Sequence, residues 1–206
     1  MHHASSKPFA PIARLERLPL PDAQVFYAER VSYDDSPEVL LDRLIAETDW
    51  RSEAIVLWGR RYGQPRLTAW FGDPGAHYSY SGISLDPMPW TDTLRAIKCS
   101  VERLTGSVFN SVLANLYRDN RDSMGFHSDD EPELGDAIAS ASFGEQRTFV
   151  LRHKRRRDIE PVKLQLRSGS CLLMRGETQR YWQHGVPKER RPCGPRVNLT
   201  FRRILL

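Results

Sequence analysis

The chain has 206 residues, which is enough for one well-buried domain. Thirty Lys and Arg residues against 26 Asp and Glu residues give a net charge of +4, a small excess that mildly favours a polyanionic partner. The first 25 residues contain charges and four prolines where a signal peptide needs an apolar core, and no later run is long enough to span a bilayer. Three cysteines without a C-x-x-C pair fit a reducing compartment, so we expect a cytoplasmic monomer without a membrane partner.

The first half of the chain predicts an arm and two helices. Residues 1–22 are rich in Pro, Ser and small residues and predict an N-terminal arm, and residues 23–206 predict a single domain. A helix is predicted from Ser36 to about Asp49, with Pro37 in its first turn, and a second from about 91 to 105, followed by a glycine stop. Both carry an apolar stripe at helical spacing, so we expect them to buttress a sheet.

The second half of the chain predicts β structure. Apolar alternation in short, turn-separated segments favours two packed sheets over alternating βαβ units. The predicted fold class is therefore mainly β within α+β. The seven predicted strands are Phe109–Tyr117, Ile138–Phe143, Thr148–His153, Val162–Leu166, Ser170–Met174, Tyr181–Val186 and Val197–Leu205.

A candidate metal site begins with His127 and Asp129. Residues two apart on an extended strand point to the same face, so both side chains can meet one ion. His184 is the natural third ligand, because two imidazoles and one carboxylate on one face of an octahedron leave three positions open. An H-x-D pair is by itself weak, since a solvated turn such as SDDEPE also holds these residues. His, Asp and His also suit a structural or hydrolytic zinc ion.

The C-terminal segment RVNLTFR strengthens the metal hypothesis. Its polar and apolar residues alternate, which places Arg196, Asn198, Thr200 and Arg202 on one strand face. The alternative is an outer strand with its arginines in water. Two inward arginines would instead demand an acidic ligand or internal carboxylates, because an unpaired buried charge costs several kcal/mol.

Together these patterns resemble the AlkB family of iron(II)- and 2-oxoglutarate-dependent dioxygenases, in its DNA-repair branch. The resemblance extends from about Leu57 to Phe201. It implies a double-stranded β-helix, or jelly roll, with N-terminal helices packed on one sheet. It also implies a nucleotide-recognition part at about 50–90 and a jelly-roll core at about 108–206. The matching segments, in the family's order, are PRLTAWFGDPG, YSYSG, N-x-Y (Asn115, Tyr117), H-x-D (His127, Asp129), ASFGEQRTFVLRHK, the distal His184 and R-x-N-x-T-x-R (Arg196, Asn198, Thr200, Arg202).

The resemblance implies the chemistry of the site. His127, Asp129 and His184 would hold Fe(II), and the reaction would use 2-oxoglutarate and O2 to demethylate 1-methyladenine or 3-methylcytosine in DNA damaged by alkylation. Arg196 would grip the distal carboxylate of 2-oxoglutarate and Arg202 the carboxylate beside the keto group, because guanidinium binds carboxylate bidentately. Succinate, CO2 and formaldehyde would be released. Further polar contacts to 2-oxoglutarate would come from Asn115, Tyr117, Asn198 and Thr200.

The substrate itself is less defined by the sequence. An RNA demethylase, a protein hydroxylase and a catalytically silent binding module for damaged nucleic acid remain open, since a shared fold does not fix a substrate. DNA, single- or double-stranded, is the expected partner, and RNA is the alternative.

Several segments are candidates for substrate contacts. Trp58, Gly59 and Arg60 occupy the place of the family's finger residue and would touch the unpaired strand. Trp58 in a core strand is the alternative. Asp130 and Glu131 would accept a hydrogen bond from the base or neutralise a cationic base, although an exposed acidic turn is the default. The remaining base-facing candidates are Tyr78, Ser79 and Tyr80.

The densest positive segment of the chain lies between residues 152 and 157. A charge run is usually a solvated loop, but here a hairpin tip beside a base-processing site would grip phosphates and make binding salt-dependent. The predicted phosphate contacts are Arg152, Lys154, Arg155, Arg156 and Arg157.

Overall fold

The computed structural model describes residues 14–205, except for 53, 58, 59, 77, 81, 82 and 86; residues 54–57, 60–62, 78–80 and 83–85 are described by their backbone alone. The helices are α1 (Pro37–Glu47), α2 (Asp92–Thr105) and α3 (Thr178–Tyr181). The strands are β1 (Glu16–Arg17), β2 (Gln24–Ala28), β3 (Ala54–Leu57), β4 (Arg60–Gly63), β5 (Leu67–Gly72), β6 (Tyr78–Tyr80), β7 (Ile83–Leu85), β8 (Ser111–Tyr117), β9 (Met124–His127), β10 (Ile138–Gly144), β11 (Arg147–His153), β12 (Val162–Leu166), β13 (Ser170–Arg175), β14 (Trp182–Val186) and β15 (Arg196–Arg202).

Two antiparallel sheets form the body of the described chain. The larger sheet has seven strands in the order β1-β2-β13-β10-β15-β8-β5, and the smaller has four in the order β12-β11-β14-β9. One apolar cluster takes residues from both sheets, including Leu172 and Tyr117 from the larger and Phe149 and Trp182 from the smaller. The protein is therefore mainly β, and its two facing sheets are those of a jelly roll. Two separate hairpins, β3-β4 and β6-β7, complete the strands.

The seven strands predicted beyond residue 108 are confirmed, with small shifts at their ends. The sequence places His127 on an extended strand without bounds, and the structure shows this strand as β9, which is only four residues long. Neither β1 nor β2 is predicted from the sequence. β2 joins the larger sheet by pairing with β13, about 145 residues later in the chain, for example Phe26 opposite Leu173. Within β2 the buried residues Val25 and Ala28 are three apart, so the strand shows no two-residue alternation.

The two longer helices lie where the sequence predicts them, and their caps explain their bounds. The Ser36 hydroxyl accepts a hydrogen bond from Val39 N, and the Thr91 hydroxyl accepts one from Leu94 N. Gly106 ends α2 with a left-handed φ of 65°. The apolar faces of both helices belong to one cluster with the residues of the larger sheet that point away from the smaller sheet. Within the described residues, no helix combines the length and apolarity needed to cross a membrane.

Candidate metal and cosubstrate site

The three predicted metal ligands come together at the edge of the smaller sheet. His127 is the last residue of β9 and pairs across the strands with His184 of β14, and their rings lie 4.3 Å apart between centroids. The Asp129 carboxylate reaches both rings, with separations of 3.7 Å from His127 Nε2 to Oδ1 and 4.0 Å from His184 Nε2 to Oδ2. Among the described residues, these form the one group of three or more ionisable side chains arranged to hold a metal ion.

The route by which Asp129 reaches the site differs from the expectation. The sequence predicts His127 and Asp129 on one strand, but β9 ends at His127 and Asp129 lies in the irregular segment that follows. Its backbone N–H donates a hydrogen bond to Oε1 of Gln179 in α3, at 3.0 Å. This contact from a distant segment, rather than strand alternation, fixes the backbone of Asp129.

The electrostatics of the cluster keep its ligands in the protonation states that metals bind. Burial acts to raise the pKa of Asp129, but the positive Arg202 and the two imidazoles outweigh it and lower that pKa to about 2. Burial, with the neighbouring His127, lowers the pKa of His184 to about 3. At neutral pH the site therefore offers a carboxylate and a neutral imidazole. Nδ1 of His127 lies 3.0 Å from the Gly125 carbonyl, and donation to it leaves Nε2 for the metal.

The donor set is of the kind that holds a single transition-metal ion. Two ligand atoms each about 2.1 Å from one ion can lie at most about 4.2 Å apart. The separations from Asp129 to the two histidines fall within that span, and all three ligand atoms lie within 4.8 Å of one another. Asp129 Oδ2 is also buried without a hydrogen-bond partner among the described residues. Two histidines and one carboxylate on one side of an ion are typical of non-haem Fe(II) sites.

The C-terminal strand turns its polar face inward. Arg196 is 1% exposed and Arg202 3% exposed, so the alternative with arginines in water is wrong. The opposite face, carrying Val197, Leu199 and Phe201, packs in the core beneath the helices. Arg202 reaches the metal cluster directly, with Nη2 2.9 Å from Asp129 Oδ1.

Arg196 lies deeper, beside Tyr117. Its Nη2 donates to the Ser142 hydroxyl at 2.9 Å and to Asn198 Oδ1 at 2.8 Å. Its Nε and Nη1, and Nδ2 of Asn115, are buried without hydrogen-bond partners among the described residues. Burial lowers the pKa of Arg196 to about 10, so the guanidinium remains charged at neutral pH. A cationic group with unsatisfied donors suits a carboxylate ligand.

The cluster and the C-terminal strand border one pocket. A further arginine, which was not predicted from the sequence, also lines it. Arg66, just before β5, is 7% exposed and donates from Nε to Asn115 Oδ1 at 2.8 Å. Its signal in the sequence was its place in PRLTAWFGDPG, but nothing local shows that β5 lies beside β8. The pocket is lined by Arg66, Leu113, Tyr117, Met124, His127, Asp129, Ser140, Phe149, Met174, His184, Val186, Asn198, Thr200 and Arg202.

The structure describes only some of the predicted substrate-contact residues. Trp58 and Gly59 lie outside the described residues, and Arg60 at the start of β4 is described by its backbone alone. The same holds for the three base-facing candidates, which form β6. These candidates are Tyr78, Ser79 and Tyr80.

Asp130 is exposed and forms an ion pair with Lys154 at 3.0 Å.

The basic segment forms the end of β11 and the turn after it. Arg152 lies over the exposed Phe126 ring, 4.2 Å from its centroid, and Arg156 pairs with Asp158 at 2.7 Å. His153 between them is buried, and its Nδ1 accepts hydrogen bonds from the backbone N–H groups of residues 155 and 156. Arg155 and Arg157 are exposed. The buried histidine therefore shapes a turn that presents arginines to solvent.

The jelly roll and its two-histidine, one-carboxylate cluster together define a non-haem iron oxygenase scaffold. A comparison with family models agrees, since the model of the 2OG-Fe(II) oxygenase superfamily matches residues 25–202. The similarity to individual proteins narrows this further. The chain belongs to the 2OG-Fe(II) oxygenase superfamily and, within it, to the AlkB family.

The curated relatives are named as AlkB homologues. The chain is 45% identical over 175 residues to the human alpha-ketoglutarate-dependent dioxygenase alkB homolog 3, covering 80% of this chain and 60% of the relative. It is 45% identical over 159 residues to the mouse DNA oxidative demethylase ALKBH2, covering 73% of this chain and 66% of the relative. The Arabidopsis thaliana ALKBH2 is 35% identical over 210 residues, covering 89% and 67%. The chain thus spans about 60% of the length of the homolog 3 proteins.

A solved structure shares the architecture at lower identity. The structure of OsALKBH1 aligns with a TM-score of 0.61 and 18% identity, covering 92% of this chain and 99% of that one. This similarity supports the fold.

Proposed function

We propose that the protein is an Fe(II)- and 2-oxoglutarate-dependent dioxygenase that oxidatively demethylates N-alkylated bases in DNA. The observation that carries the proposal is that the ligand atoms of His127, Asp129 and His184 lie together and that β15, the strand with two buried arginines, brings Arg202 into contact with Asp129. A hydrolytic zinc site has no use for those arginines, whereas a dianionic cosubstrate needs them. Relatives named DNA oxidative demethylase support the substrate class.

In this proposal, the three ligands hold Fe(II) and β15 holds the cosubstrate. Arg196 binds the distal carboxylate of 2-oxoglutarate with its unsatisfied Nε and Nη1, and Arg202 binds the carboxylate beside the keto group. Bound iron, with 2-oxoglutarate and O2, supplies the oxidising power that hydroxylates the N-methyl group. One oxygen atom ends in succinate and the other in the hydroxymethyl group, which leaves as formaldehyde while CO2 is released. The remaining polar contacts to 2-oxoglutarate are assigned to Asn115, Tyr117, Asn198 and Thr200.

The recognition of the damaged base is assigned to the segments around the pocket. Tyr80 and the His127 ring would sandwich the extruded base, with Tyr78 and Ser79 nearby. Glu131, half-buried and two residues after Asp129 in the chain, would face the cationic ring of 1-methyladenine or 3-methylcytosine. The ion pair of Asp130 with Lys154 directs that carboxylate toward the basic turn, so Glu131 is the better candidate for the base. Trp58, Gly59 and Arg60 would contact the unpaired strand.

Phosphate contacts are assigned to the basic segment. Arg155 and Arg157 are exposed and are the best placed to meet phosphates, because Lys154 and Arg156 already pair with carboxylates. Exposed ion pairs are weak, so a phosphate can compete for these cations as well. Arg152, stacked on Phe126, would add a charge. Binding would then weaken steeply with salt.

The organisation of the chain follows from the same proposal. Residues 1–22 are assigned to an N-terminal arm, whose described end adds β1 to the larger sheet. Residues 23–206 are assigned to one catalytic domain, with nucleotide recognition at about 50–90 and the jelly-roll core at about 108–206. The end of the arm runs along the jelly roll, as indicated by the hydrogen bond from Trp182 Nε1 to the Pro21 carbonyl. Helices α1 and α2 buttress the larger sheet that carries the arginine strand.

We also propose a monomer in the cytoplasm. Cys99, Cys171 and Cys193 are all free in the structure, which fits a reducing compartment.

A turnover assay tests the function. The protein, Fe(II), 2-oxoglutarate and an oligonucleotide with one 1-methyladenine, single- or double-stranded, would be combined under air, and succinate and the methyl mark followed together. Equal loss of mark and gain of succinate is expected, and Asp129→Ala should abolish both. Succinate without demethylation would redirect the search to RNA or protein substrates. Duplex binding without succinate would favour a silent damage-binding module.

A further inference from the structure

Arg147, at the start of β11, is a buried cation to which the proposed mechanism assigns no role. It is 1% exposed and among the largest completely buried side chains of the described protein. Burying a charge without compensation costs several kcal/mol, so neighbouring groups must stabilise the buried guanidinium. The Glu189 carboxylate forms only a long ion pair with it, with Oε1 3.9 Å from Nε.

Main-chain carbonyls provide the compensation. Nη1 of Arg147 donates to the Asp119 carbonyl at 3.1 Å, and Nη2 donates to the carbonyls of Asp122 at 2.7 Å and Pro187 at 2.9 Å. Asp119 and Asp122 belong to the segment after β8, and Pro187 directly follows β14. The guanidinium therefore joins the two segments that leave the strands carrying Tyr117 and His184.

The same guanidinium lies over the Tyr117 ring. Its Cζ is 5.4 Å from the ring centroid, and Cζ of Arg196 is 5.2 Å from it. A guanidinium held by three carbonyls has a fixed plane, and its cation–π contact fixes the orientation of the ring in turn. Tyr117 is 1% exposed, lines the pocket and has Arg196 as its cross-strand partner.

We infer that Arg147 is a positioning residue for 2-oxoglutarate: it holds the Tyr117 ring, and so the phenol hydroxyl, where the carboxylate bound by Arg196 is received. The inference rests on the proposed function, because Tyr117 is assigned there to the cosubstrate. Lysine cannot replace Arg147, because an ammonium group lacks both the planar face over the ring and the fork that reaches three carbonyls.

Equilibrium binding of 2-oxoglutarate to the Mn(II)-loaded protein, measured by calorimetry without turnover, tests this inference. Arg147→Met and Arg147→Lys should weaken 2-oxoglutarate binding about tenfold, because each removes a desolvated cation–π contact that orients the Tyr117 ring. Mn(II) affinity should stay unchanged. Arg118→Met is the matched control. Arg118 lies on the same segment, but it donates to the side-chain carboxylate of Asp122 and not to its main-chain carbonyl. This control should bind 2-oxoglutarate as the wild type does.

A double-mutant cycle separates positioning from general destabilisation. In a Tyr117→Phe background, Arg147→Lys should have no further effect on 2-oxoglutarate affinity, because the hydroxyl it positions is gone. Wild-type affinity in the Arg147→Lys variant, equal losses in both backgrounds, or failure of both Arg147 variants to fold would each overturn the inference. Absence of 2-oxoglutarate binding by the wild-type protein would instead refute the proposed function.

Discussion

The buried ion pair between Arg202 and Asp129 gives the sharpest prediction for the metal-free protein. Both side chains are less than 5% exposed, and Nη2 lies 2.9 Å from Oδ1. At an effective dielectric constant of about 20, their attraction is about 6 kcal/mol. Desolvation of both groups offsets much of this in the intact pair, but Arg202→Met leaves the carboxylate desolvated without the cation. We expect this variant to lose about 3–5 kcal/mol of unfolding free energy at neutral pH.

Urea denaturation after metal removal measures this loss. The double variant Arg202→Met, Asp129→Asn should be at least about 2 kcal/mol more stable than the sum of the two single-variant losses predicts, because neither charge is then buried alone. Without Arg202, burial acts to raise the pKa of Asp129, so the deficit should shrink as the pH falls and the carboxyl becomes protonated. Arg203→Met, at the adjacent exposed position, is the control and should change stability by less than about 0.5 kcal/mol.

Metal binding provides a second test of the same pair. Mn(II) should stabilise the Arg202→Met variant more than the wild type, since the ion replaces the missing positive charge beside Asp129. Strictly additive single variants, or equal stabilisation by Mn(II), would refute the reasoning that the arginine compensates the ligand carboxylate.

Three further predictions concern other residues. Gln179→Ala removes the acceptor for the Asp129 backbone N–H and should weaken Mn(II) binding about tenfold in calorimetry, without abolishing folding; unchanged affinity would show that Asp129 is positioned without it. Cys171 is buried and its pKa is raised to about 12, so iodoacetamide at pH 8 should label the exposed Cys99 in the native protein and Cys171 only in urea, as read by mass spectrometry. Trp58→Ala should reduce demethylation of duplex more than of single-stranded DNA, and equal losses would indicate a core residue.

Much of the architecture could be predicted locally. The strands from β8 to β15 have a two-residue alternation or short apolar runs bounded by turns, and the helices carry cap residues such as Ser36 and Thr91. These signals depend on neighbouring residues, so one sequence suffices to detect them. The short β9 is the exception among these strands, because four residues are too few to show a two-residue period.

The candidate site divides in the same way. Residue types and spacing within one segment were enough to nominate His127, Asp129 and the alternating arginine strand, and the resemblance to AlkB proteins added their order. The contacts of Arg66, Arg147 and Gln179 depend on segments far apart in sequence and left no recognisable pattern. The sequence by itself thus determined the chemical composition of the site and the strands that carry it. The tertiary structure alone decided that Asp129 is oriented by α3, that Arg202 faces it, and that Arg147 supports Tyr117, because those positions are set by antiparallel pairing and hydrogen bonds between distant segments.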